Sequence, residues 1–506
     1  MFCGMSTPSP SSPQHHPTQL PAVLGLVAAF AIVVGEVIGS GIFLKPNQIA
    51  QATGGYVGLI LSLWVVCGLI SLCGALTLAE LSAMLPHAGG TYIFLRDAYG
   101  KIWGFLWCWA EFWVIRSGAI AALATAVGLS IVNLIHNSGH ELSAGAAANV
   151  EKAVAVGSIV LLAAINIIGT RWGGAVQVVT TAIKAGFLLF LGLLPFLAAG
   201  RKPLDLSPLF PTSMQPELWV GIGSAIAGIM WAYDGWGQVT VIAEEIKNPQ
   251  RNLPLALGGG VLFLIILYTG ANVGYHLTLP SAEIAAAKIP AEAVTRALMG
   301  EWGAKLMLSM LLVSAFGALN SNILVGPRVL FAVARDNVVL RPLQRIDPRF
   351  STPALAIGVL STWAVALVLL GDLTSSQQGP TLSAPEAPTT MEASDAPVTA
   401  PPPAKEAPPK KRLYDVLTDY AIFGGSMFYF AAVATVFVFR ARRPDLPRPY
   451  RTWGYPVVPM VFLAGYVFII ISMFWAAPKE CLMGLSLIAV GLPFYWMTTR
   501  PEPGEA

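Results

Sequence analysis

Of the 506 residues, 55% are hydrophobic and 11% charged, with a mean hydropathy of +0.66, which excludes one water-soluble domain of this size and leaves a polytopic membrane protein. The formal net charge of +3 comes from basic residues in short polar segments, so there is no basic face for nucleic acid, and the excess base is read as membrane topology. The five cysteines show no metal or disulfide spacing, which excludes a zinc module and a disulfide scaffold and gives no sign of a cofactor.

Residues 1 to 21 are rich in Ser, Pro and Gln and contain no Lys or Arg. They read as a disordered cytoplasmic tail leading into an uncleaved first helix, not as a signal peptide. Windows long enough to span a bilayer, about 20 apolar residues each, fall near 22 to 45, 56 to 85, 100 to 134, 153 to 171, 174 to 199 and 218 to 243. Six more fall near 254 to 277, 303 to 334, 354 to 371, 413 to 440, 456 to 476 and 480 to 498.

The first window is interrupted at its centre by Gly35-Glu36-Val37-Ile38-Gly39-Ser40-Gly41, and the sixth by Ala232-Tyr233-Asp234-Gly235-Trp236-Gly237. In hydrocarbon every backbone polar group needs a partner, so a loosened helix is tolerated only where it lines a cavity or meets protein. Breaks at matching places in two halves of a transporter mark a solute site. Helices one to five (22–200) and six to ten (218–440) each open with a broken helix. Because five is odd, the second group enters from the opposite face, which predicts an inverted repeat followed by helices eleven and twelve (456–498).

Twelve spans return both termini to one side. The arginines after the eighth span (Arg335, Arg341, Arg345, Arg349) and the tenth (Arg440, Arg442, Arg443, Arg448, Arg451) share it, which makes that side cytoplasmic by the positive-inside rule. Lys405, Lys410, Lys411 and Arg412 run against the rule. They close a Pro/Ala/Thr-rich insert, 372–412, that lacks the composition for a core and is expected to be disordered and extracytoplasmic.

Unwinding at Gly39-Ser40-Gly41 frees backbone N–H groups at the start of a half-helix whose positive dipole end suits a carboxylate. The second break frees carbonyls that suit an ammonium. Together they match the two ends of a free α-amino acid. Gly35 and Gly39 also fit a small-residue packing face, a reading that leaves the neighbouring Ser40-Gly41 and the second break without a purpose. A soluble dinucleotide fingerprint is excluded, since no strand precedes the glycines.

Gly39-Ser40-Gly41-Ile42-Phe43, Ala79-Glu80-Leu81, Gly89-Gly90-Thr91-Tyr92, Trp109-Ala110-Glu111 with Ile115-Arg116-Ser117, the run Glu244-Glu245-Ile246-Lys247-Asn248-Pro249-Gln250-Arg251-Asn252-Leu253-Pro254, and Gly491-Leu492-Pro493 together resemble the amino acid-polyamine-organocation superfamily, in particular its L-type amino acid transporter branch. The resemblance runs from about 22 to 498 outside the insert. It implies an all-α, LeuT-like fold of ten helices in a 5+5 inverted repeat plus two, moving amino acids by alternating access without making or breaking a bond.

By that resemblance the first break holds the substrate carboxylate and the sixth helix the amino group, at Val37, Ile38, Gly39, Ser40, Gly41, Trp231, Ala232, Tyr233 and Asp234. Trp231 is then the gate that closes over substrate. Lys184 matches a fifth-helix lysine whose ammonium stands where relatives place sodium, so structural pairing and coupling both fit it. Residues 135 to 152 lack the cysteine by which animal light chains bond a heavy chain, so no disulfide-linked heavy chain is expected.

Two charged positions stay open. Asp234 either pairs with a cationic substrate side chain or serves the half-helix cap and the shared α-ammonium. Glu36 either pairs with Lys184, carries a coupled proton or faces a water-filled vestibule. Glu111 and Arg116, five apart, are expected to face different ways and to pair with other helices, and His87 is given no role beyond its loop.

The sequence therefore predicts a sodium-independent amino acid exchanger or facilitated carrier for neutral, and alternatively also cationic, L-amino acids. It is expected in the plasma (inner) membrane, with the lipid bilayer and its small-molecule amino acids as partners. A proton-coupled symporter and a non-transporting amino acid sensor are the alternatives. An enzyme is not expected, because no nucleophile, base and oxyanion arrangement appears.

Overall fold

The computed structural model describes residues 19–197, 206–337, 340–375, 413–476 and 478–498. Among these the regular structure is helical, and the one strand-like feature is an isolated parallel bridge between Leu24 and Ile246. Most of the predicted insert, 376–412, and most of the tail, 1–18, lie outside the described residues.

Among the described residues, ten helical stretches are long and apolar enough to cross a membrane, from Leu26–Leu44 to Cys481–Thr498. Of the twelve predicted windows, two fall short of that test. The helix Pro216–Ala232 has 17 residues because it stops at the second break, and the apolar part of the ninth window runs over Ala354–Leu370. The first window is a helix, Leu26–Val37, then a non-helical Ile38-Gly39-Ser40, then Gly41–Leu44 and Pro46–Ala52. The sixth is Pro216–Ala232, then Tyr233-Asp234-Gly235, then the 3-10 helix Trp236–Glu245. Gly235 has φ 109°, a conformation that glycine reaches without a Cβ penalty, and this is where the chain changes direction.

The half-helix Leu26–Val37 packs against Thr170–Leu197 and Pro249–Thr278. Gly35 permits the first contact, since a Cβ there would stand 2.1 Å from the Thr181 Oγ1. Thr181 in turn donates to the Ala31 carbonyl at 2.9 Å. Gly39 differs. A Cβ there would meet only its own chain, the Val37 carbonyl at 4.0 Å. Of the two glycines, then, Gly35 serves packing and Gly39 borders open space.

The third span carries a π-turn at Glu111–Ile115, between the α-helices Lys101–Ala110 and Arg116–Asn137. The Arg116 N–H reaches back five residues to the Glu111 carbonyl, and the Ser117 hydroxyl donates to the Phe112 carbonyl at 2.6 Å. Such turns stack residues five apart. Glu111 and Arg116 therefore do face each other, at 2.9 Å. The expectation that they would not was based on 3.6 residues per turn, and the local winding corrects it.

Candidate functional site

The two breaks meet. The Tyr268 hydroxyl, from Pro249–Thr278, donates to the Val37 carbonyl at 2.8 Å and lies 3.2 Å from the Ala232 carbonyl, so one side chain spans both. Gly41 sits so close to the sixth helix that a Cβ on it would lie 3.0 Å from the Ala232 Cβ. Glu36 leans across the gap, and a Cβ on Gly235 would stand 2.7 Å from its Cγ.

Unwinding at residues 38–40 orphans carbonyls at the C-terminal, negative end of Leu26–Val37. Lys184 meets them. Its ammonium donates to Gly35 O at 3.0 Å and Ile38 O at 2.9 Å, and it is 2% exposed. The Ser314 hydroxyl donates to the same Ile38 carbonyl at 3.2 Å, and Tyr275 reaches Ile42 O at 3.4 Å. An ammonium this deep needs such compensation, and oxygens at the end of a helix supply it.

The complementary N–H groups remain open. Among the described residues no acceptor meets the N–H of Ser40, Gly41 or Ile42. They are the leading donors of the half-helix that restarts after the break, where an anion is favoured.

At the second break, Asp234 is solvent-accessible although Ala232, Tyr233, Gly235 and Trp236 around it are buried. It makes no ion pair among the described residues. One stripe of Pro216–Ala232, Ser224, Ala227, Gly228 and Trp231, is accessible, while Ile222, Ala225, Ile229 and Ala232 on the other face are buried. The accessible stripe leads along the helix to Asp234. Tyr233 points elsewhere. Its ring is buried against Trp64 and Tyr268, with centroids 5.9 and 5.1 Å away, so at the site this residue offers its backbone and not its side chain.

Glu36 is not Lys184's partner. Its carboxylate lies 3.1 Å from the Arg116 guanidinium, which also holds Glu111 and the Asn322 side-chain oxygen, the latter at 2.8 Å. The π-turn aims Arg116 at this point, and a position five residues from Glu111 carried no such signal under α-helical spacing. Ser314, Tyr268 and Tyr275 were also missed. The two tyrosines, seven apart on one helix face, are the signal that would have found them.

The opposite end of the breaks is closed. Arg328 and Glu245, both fully buried, pair at 2.7 Å, and Thr170 donates to the same carboxylate at 2.6 Å. Glu244 is held by Arg335 at 2.9 Å and accepts from the N–H groups of Leu20 and Ala88, at 2.7 and 3.1 Å. The N–H groups of Val23 and Leu24 both donate to Glu245 O at 2.9 Å. Leu20, expected in the disordered tail, is instead buried and docked here, because its N–H has a carboxylate to meet. His87 neighbours this contact and takes no part in it through its ring.

Comparison with known proteins places the arrangement. The family model described as amino acid permease matches residues 24–490. The serine/threonine exchanger SteT of Bacillus subtilis is 29% identical over 94% of this chain and 96% of its own length. The human b(0,+)-type amino acid transporter 1 is 29% identical over 97% of this chain and 90% of its own. The human large neutral amino acids transporter small subunit 2 is 27% identical over 94% of this chain and 80% of its own. With two helix breaks facing each other in a bundle of membrane-spanning length and a family match over almost all of it, the chain belongs to the amino acid permease family and is a multi-pass amino acid transporter, not an enzyme.

Proposed function

We propose that this protein is a sodium-independent exchanger of neutral L-amino acids, working by alternating access in twelve helices arranged as a 5+5 inverted repeat plus two. The observation that carries the reading is Lys184. Its ammonium lies between Gly35 O and Ile38 O, so a fixed charge of the protein occupies oxygens that would suit a small monovalent cation, and the first break is held open without sodium.

The substrate carboxylate then takes the N–H groups of Ser40, Gly41 and Ile42, and the α-ammonium the carbonyls of the second break. Val37, Ile38, Gly39, Ala232 and Tyr233 contribute backbone to the same site, and Trp231 covers it. The closed face at Glu244 and Glu245 is the cytoplasmic one in this reading, which leaves Asp234 accessible from outside the cell. Exchange is favoured over proton coupling because Glu36 is tied to Arg116 and not left loose in a vestibule.

Labelled alanine uptake into proteoliposomes tests this, with sodium absent from both sides. Uptake confined to vesicles preloaded with unlabelled amino acid supports exchange. Equal uptake into empty vesicles rejects it, and dependence on an imposed pH gradient would then identify a symporter.

The accessible, unpaired Asp234 supports a second reading, in which cationic amino acids are also carried. A carboxylate at the mouth of the second break lowers the cost of bringing a guanidinium or second ammonium into the membrane.

A further inference from the structure

Lys45 stands one turn beyond Gly41, and residues four apart share a helix face. Gly41 faces the sixth helix so closely that a Cβ on it would lie 3.2 Å from the Trp231 Cζ3. From the same face the Lys45 ammonium reaches over the Trp231 indole, 5.1 Å from the ring centroid. Gln48, one turn further on, accepts from that ammonium at 2.9 Å, so the cation is held between the two.

Trp231 is only partly buried and ends the accessible stripe that leads to Asp234. A ring open on one side keeps rotameric freedom unless something binds its face. An ammonium does so, because it is attracted by the negative face of the ring, and tryptophan is the best such ring.

We propose that Lys45 is a positioning residue for Trp231, holding the indole across the mouth of the site and so setting the affinity with which substrate is captured from that side. The inference rests on the reading of Trp231 as the gate. Lys45 itself touches no substrate in this arrangement and acts through the indole.

The test uses the full-length protein in liposomes, with alanine exchange resolved into KM and maximal rate for Lys45→Met, Lys45→Gln, Lys45→Arg, Trp231→Leu and the Lys45→Met/Trp231→Leu pair. Both neutral variants should raise KM about fivefold and change the maximal rate less. Lys45→Arg should restore KM, since a guanidinium also stacks on an indole. In the Trp231→Leu background Lys45→Met should add nothing. An unchanged KM in both neutral variants, or an equal effect with and without Trp231, overturns the role of Lys45 and leaves the gate standing. An unchanged KM in Trp231→Leu overturns the gate, and the role of Lys45 with it.

Discussion

Arg116 lies 3.1 Å from Glu36, a residue of another helix, while its other nitrogens grip Glu111 on its own. One guanidinium thus ties the first break to the third span. All three side chains are under one-tenth exposed, so the network is costly to break at its centre. Removing one partner of a buried pair costs about 3–5 kcal/mol because the other charge is left uncompensated.

Arg116→Leu is expected to be the most damaging single change here, since it leaves two buried carboxylates without a cation. Glu36→Gln should be milder, because Arg116 keeps Glu111 and Asn322. Thermal unfolding of the purified variants in detergent checks the order, and a Glu36→Gln loss as large as that of Arg116→Leu would contradict it. Exchange in Glu36→Gln should also keep the wild-type response to pH, since the proposed mechanism moves no proton through Glu36.

Lys184→Met removes the ammonium from Gly35 O, which is left short of a donor, and from Ile38 O, which keeps only the Ser314 hydroxyl. A buried carbonyl left without a donor costs about 1–3 kcal/mol. Alanine exchange should fall by about tenfold or more, and sodium should not restore it. Recovery in sodium would mean that the ammonium only occupies a cation site that the rest of the protein still forms, and would revise the assignment of sodium independence.

Asp234→Gly separates the two roles left open for that carboxylate. If Asp234 reads a cationic side chain, arginine competition against labelled alanine weakens while alanine transport persists. Equal losses for both amino acids would place Asp234 on the α-ammonium that every substrate shares.

The closed face should depend on Glu244. Burial works to raise the pKa of its carboxyl, but the Arg335 guanidinium and the Leu20 and Ala88 N–H groups outweigh that and hold it below the ordinary carboxylate value. A depressed pKa stabilises the closed face above the unfolded value and loses that contribution as pH falls through the folded one. The wild-type contact is therefore intact at neutral pH and weakens only in acid, whereas Glu244→Gln should loosen it at every pH. Hydrogen exchange over residues 20–24 at neutral pH reads this out, with faster exchange expected in the variant.

How much of this was legible beforehand differs from place to place. The breaks at Gly39 and Asp234 were visible because glycine and charge inside apolar runs violate the rules of a membrane helix. Lys184 was found by resemblance, yet its partners were not, since the Gly35 and Ile38 carbonyls lie 149 and 146 residues away. The partner of Glu36 stayed open between Lys184, a coupled proton and a vestibule, and Arg116 was not among the alternatives for a local reason, as one π-turn swings Arg116 toward it.

The sequence by itself determined that the chain crosses a membrane many times and that two of its helices break halfway, because hydrophobic run length and helix-breaking composition are local properties. Only the tertiary structure decided that Gly35 packs while Gly39 borders open space, that Tyr268 bridges the breaks, and that Asp234 is accessible where Tyr233 is buried. Those outcomes depend on what the fold brings near each residue, and contacts between residues more than a hundred positions apart leave no periodicity in a single chain.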